Sequence, residues 1–114
     1  MTEARPAPPD PTLDQIAAAW LTAVRAHRRD VRAFGRVQAA IVSVPDGEEL
    51  HLTEETTFKQ GDPLADAQAW LEARRVDREA NGASGKLNLD SDAKGGRTTW
   101  AKVTETTVIH RPHP

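Results

Sequence analysis

Residues 24–36 read VRAHRRDVRAFGR and bring five arginines, Arg25, Arg28, Arg29, Arg32 and Arg36, together at helical steps. On one helix at about 100° per residue they form a stripe roughly 130° around from the apolar residues beside them. Guanidinium groups so spaced can reach successive phosphates of a nucleic acid, each contact releasing counterions and adding salt-dependent affinity. An amphipathic helix also keeps charge on its wet side for solubility alone. The acidic residues that follow, Asp46, Glu48, Glu49, Glu54 and Glu55, are placed to neutralise the stripe within the molecule. A net charge of −2 and the scarcity of aromatic side chains for base stacking favour this second reading.

Other chemistries fail when their spacing is tested. From Asp90, DSDAKGG sets aspartates first and third and a glycine sixth, as a calcium loop would. Lys94 then stands fifth and Ala101 twelfth, where a bidentate glutamate is needed. GASGK (82–86) lacks the four-residue spacing of a phosphate-binding loop and continues with Leu87 where a magnesium-ligating hydroxyl belongs. His110 and His113 lie three apart beside prolines with no third ligand in sequence, and His27 reads as packing rather than as a ligand. The chain has no cysteine, and none of its serines, Ser43, Ser84 and Ser91, sits in a nucleophile elbow. Its carboxylates read as turn and surface groups, where no dry pocket would separate their pKa values for acid–base work. The expectation is a protein without metal, cofactor or catalysis.

The elements that would carry these residues can be read in order. A chain of 114 residues makes one small domain and buries about 60 to 70% of its unfolded surface. MTEARPAPPDP (1–11) has four prolines and little to bury, so it reads as a disordered tail without a signal peptide, and no window is apolar enough for a membrane span. Thr12 and Gln15 have the spacing of a capping box. From Leu13 the seam Leu13, Ala17, Trp20, Val24, His27, Val31, Phe34 predicts a helix of about 21 residues, on the order of 30 Å long, ending near Gly35. RVQAAIVSV, PDG and ELHLT then predict a β-hairpin. Asp62 and Pro63 open a second helix through Trp70 and Leu71 that should stop near Asn81-Gly82, with Arg74, Arg75 and Arg78 left as snorkelling charge at its end. KLNLD, SDAKGG and RTTWAKVTETTVIH predict a second hairpin, and HRPHP a frayed end. Each half is a helix followed by a hairpin, but no sequence repeat stands out.

TTFKQGDPLADAQAWLEARR, a strand end, a turn and an alanine-rich helix with a central Trp-Leu, is similar to the strand-to-helix passage of the small arm-type DNA-binding domains of phage integrases. The resemblance covers about twenty residues. The strands before it lack the basic and aromatic residues such domains use on DNA, and the first helix has no counterpart there, so no function is carried across.

The sequence thus predicts a single α+β domain over 12–110, flanked by a proline-rich tail (1–11) and a frayed C-terminus (111–114). Its order is α-β-β-α-β-β, a mostly antiparallel sheet with both helices on one face. The functional expectation is a small, cytoplasmic, non-enzymatic interaction or accessory protein, self-assembling or bound to a protein partner. It would act through the seam of its first helix, Trp20, Val24, His27, Val31 and Phe34, and through its sheet edges. The alternative is a nucleic-acid-binding accessory protein using Arg25, Arg28, Arg29, Arg32 and Arg36.

Overall fold

The computed structural model describes residues 11–113, so the expected tail lies almost wholly outside the described residues. Helix α1 spans Leu13–Asp30, β1 Phe34–Val44, β2 Gly47–Phe58, α2 Pro63–Ala80, β3 Ser84–Lys94 and β4 Arg97–Pro112. The four strands form one antiparallel sheet in the order β1-β2-β4-β3, and the chain is an α+β fold.

Local chemistry sets the boundaries. The Thr12 hydroxyl accepts from the Gln15 amide at 3.2 Å while the Gln15 side chain accepts from the Thr12 amide at 2.9 Å, the reciprocal capping box. Asp62 caps α2 through the Ala65 amide, with Pro63 at the first helical position. Both helices end in the same turn: Ala33 and Ala83 donate back to the Arg28 and Arg78 carbonyls, after Arg32 at φ 56° and Gly82 at φ 62°. Helix α1 therefore stops at Asp30, short of the predicted Gly35. The apolar seam runs on past the helix, but Arg32 turns the backbone left-handed and Phe34 begins β1. At the other end, Arg111 and Pro112 pair with Glu48 and Gly47, so β4 runs into the segment expected to fray.

One face of the sheet carries the core. Along β2, Leu50, Leu52, Glu54, Thr56 and Phe58 are buried beneath the helices, and along β4 so are Ala101, Val103, Glu105, Thr107 and Ile109. Helix α1 adds Leu13, Ile16, Trp20 and Val24; α2 adds Ala67 and Trp70. Arg74 stacks over Trp20 at 4.7 Å and His27 on Trp70 at 4.4 Å, which crosses early and late positions and so sets the helices antiparallel.

The two halves are copies of one αββ unit. Trp20-Leu21 and Trp70-Leu71, Arg28 and Arg78, Ala33 and Ala83, Gly35 and Gly85 each stand fifty residues apart. The offset becomes fifty-one in β4, matching Leu52-Thr53-Glu54 to Val103-Thr104-Glu105. The extra residue is Thr99, passed over where the β3–β4 register shifts between Asp92 and Ala93. Glu54 pairs directly with Glu105, so the approximate twofold axis relating the halves passes between them. The repeat was legible in the helices, where seven of the twelve residues 17–28 recur fifty positions on, and only β4 is put out of step, by the bulge at Thr99.

Candidate functional site

The titratable cluster with the lowest exposure lies on that axis. Glu54 and Glu105 are each 1% exposed, which corrects the expectation that the carboxylates occupy turns and open surfaces. Period-two alternation in LHLTEETTF sets Leu50, Leu52 and Phe58 on the inward face, and Glu54 falls on the same face. That alternation was the available signal. Trp20 Nε1 donates to Glu54 Oε2 at 3.1 Å. Arg74 Nε donates to Glu105 Oε1 at 3.0 Å, its Nη1 to Asp77 Oδ2 at 2.9 Å, and its Nη2 lies 3.7 Å from Glu54 Oε2.

The halves differ at this point. Arg74 occupies the place held by Val24 in the first unit, one guanidinium set against two buried carboxylates. With Arg74 on Glu105, the Trp70 indole N–H, counterpart of the donor on Trp20, is buried with no hydrogen-bond partner among the described residues. Arg74 is the guanidinium in contact with both carboxylates, while buried Arg28 acts on them through space. Burial, and then the neighbouring Glu54 charge, outweigh Arg74 and push the Glu105 carboxyl up to about 7. The arrangement stores a proton near neutrality. A cavity of about 350 Å³ between the helices is lined by Trp20, Arg74, Asp77 and Asn81, and neither carboxylate lines it.

The five arginines do not make one stripe. Arg28 follows Val24 by four residues, so it continues the buried face: at 6% exposure it donates to Thr56 Oγ1 and to the carbonyls of Arg36 and Glu55, fastening β1 to α1. Arg78 repeats this, donating to the Lys86 carbonyl, and Arg74 is buried as well, so the expected exposed end of α2 is instead tied to the sheet. Gly35 and Gly85 leave room at these crossings, since a Cβ on either would meet a backbone carbonyl of the neighbouring strand. Arg32 lies in the turn, and Arg36 sits on β1 facing Glu55 at 3.4 Å. Arg25 and Arg29 remain on the outer face of α1.

No family model, curated protein or solved structure matches the chain. Function must be read from the geometry. Of the seam residues, Trp20 and Val24 are spent in the chain's own core, His27 is covered by Trp70, Val31 caps α1, and Phe34 is 53% exposed under Lys59. His110 reaches Asp46 and Glu49 on the open face of the sheet. Among the described residues no group of three or more His, Asp or Glu side chains could hold a metal, and no helix is long and apolar enough to cross a membrane.

The two sheet edges differ in kind. Edge strand β3, SGKLNLDSDAK, bears four charges, a glycine at φ 127° and the register shift opposite Thr99. Edge strand β1 is uncharged from Val37 to Val44, keeps an unbroken register against β2, and exposes Ala39, Ala40, Ile41 and Val42 on both of its faces. Val42, 39% exposed, belongs to this run.

Proposed function

We propose that the chain is a small non-enzymatic interaction protein that works by accepting a further strand at the β1 edge of its sheet. The observation that carries this reading is the contrast between the edges. An edge strand presents alternate unpaired N–H and C=O groups, and soluble proteins blunt such edges with charge, glycine, proline or bulges. Strand β3 has those devices and β1 has none over eight consecutive residues. Added strands gain affinity from main-chain hydrogen bonds and specificity from side chains at alternate positions, for which Ala40 and Val42 on one face and Ala39 and Ile41 on the other supply apolar contacts. The helix seam favoured by the sequence contributes by holding the sheet rather than by offering a surface, since Trp20 and Val24 are buried.

A photo-crosslinking side chain placed at Val42, and in a separate variant at Asp90, tests the reading in the organism's own cells. Crosslinks to another chain from position 42 and none from position 90 are expected. Equal labelling at both, or none at 42, would remove the support.

A further inference from the structure

Resting on that reading, we infer that the strand received at β1 is β1 of a second copy, antiparallel across a twofold axis, giving a continuous eight-stranded sheet.

Two features of the edge are self-complementary. Any antiparallel register within Val37–Val44 sets no like charges opposite one another, because the segment has none. The ends of the strand are oppositely charged. Beside its N-terminal end a groove of about 590 Å³ is lined by Arg25, Arg29 and Phe34, with Arg28 and Arg36 already engaged. Beside its C-terminal end a groove of about 550 Å³ is lined by Leu13, Asp14, Ile41 and Glu48, where Arg111 offsets one of the two acids. Antiparallel pairing brings the basic groove of each copy to the acidic groove of the other, and the twofold makes that contact twice. A parallel arrangement would set like ends together.

The architecture also ends the assembly at two. Joining β1 to β1 leaves β3 of each copy as the outer edges, and β3 is the strand with charges and a bulge. The product is a closed dimer rather than a fibre.

The test is molar mass by light scattering on the full chain, from about 1 µM to about 1 mM and at low and high salt. The wild type should be a dimer that weakens with salt. Ile41→Lys, which sets two cations near the axis, should be monomeric with an unchanged circular dichroism spectrum. Arg29→Glu alone should raise the dimer dissociation constant about tenfold or more, and Arg29→Glu with Asp14→Arg should restore it, a rescue that damaged folding would not produce. A wild type monomeric throughout, a dimer indifferent to Ile41→Lys, or no rescue would overturn the inference. The two failures are separable: a monomer whose position 42 crosslinks to a different protein loses the second copy but keeps strand addition, and one that crosslinks to nothing loses both.

Discussion

Glu105 is the residue on which the pH dependence of this protein should turn. Its carboxyl titrates at about 7 in the folded chain against an ordinary value of 4.5, so the folded state holds the proton more tightly than the unfolded one. The stability this brings is fully present below about 4.5 and is lost as pH rises through about 7. The loss is on the order of 3 kcal/mol at 1.36 kcal/mol per unit. Thermal melts should therefore fall between pH 5.5 and pH 8, and Glu105→Gln, which keeps an acceptor for Arg74 without the charge, should flatten that fall and raise the melting temperature at pH 8. A variant with the slope of the wild type would show that another group governs it. Arg74→Leu should be far costlier, about 3 to 5 kcal/mol, because it removes the guanidinium in contact with both buried carboxylates. Trp20→Ala should cost a similar amount, from an emptied core site and the lost donor to Glu54, measured by urea denaturation. Trp20 could be assigned to the core from its place in the seam and Glu54 from its alternation with Leu50 and Leu52, but their partners could not. What an inward glutamate faces is not written in its neighbourhood: Glu54 meets Glu105 only through a strand pairing fifty-one residues distant.

At the level of elements, caps, turns and hairpins were legible because their signals are local. Thr12 with Gln15, Asp62 with Pro63, and Leu50 with Leu52 each declare themselves within a few residues. The end of α1 was misplaced because Val31 and Phe34 kept the helical spacing while Arg32, a residue with no special liking for φ above zero, made the turn that glycine makes in the second unit. Arg32→Gly should thus be stabilising, by up to about 1 kcal/mol, and Gly82→Arg destabilising by a similar amount, both readable from denaturant midpoints. The arginine reading is tested on the same element. Glutamine at Arg25, Arg29 and Arg32 should leave folding unchanged, since exposed charges contribute about 0 to 1 kcal/mol each. If the helix instead holds duplex DNA, the same change should lower the slope of log affinity against log salt by roughly 2.7. Submicromolar DNA binding at about 150 mM salt, lost in this variant, would favour the nucleic-acid function over strand addition.

For the molecule as a whole, the duplication of an αββ unit bears on how the chain reaches its structure. Every strand contact inside a unit is a hairpin contact, β1 with β2 and β3 with β4, between residues close in sequence. Such contacts close small loops at little entropic cost. Among the strand pairings only β2–β4 joins distant parts of the chain, and it brings two carboxylates into a dry interior beside Arg74. The slow event in refolding should therefore be the meeting of two preformed halves, and its rate should carry the proton of Glu105. Stopped-flow refolding is expected to quicken as pH drops from 8 to 6 and to lose that dependence in Glu105→Gln, so the residue that sets the equilibrium also times the assembly.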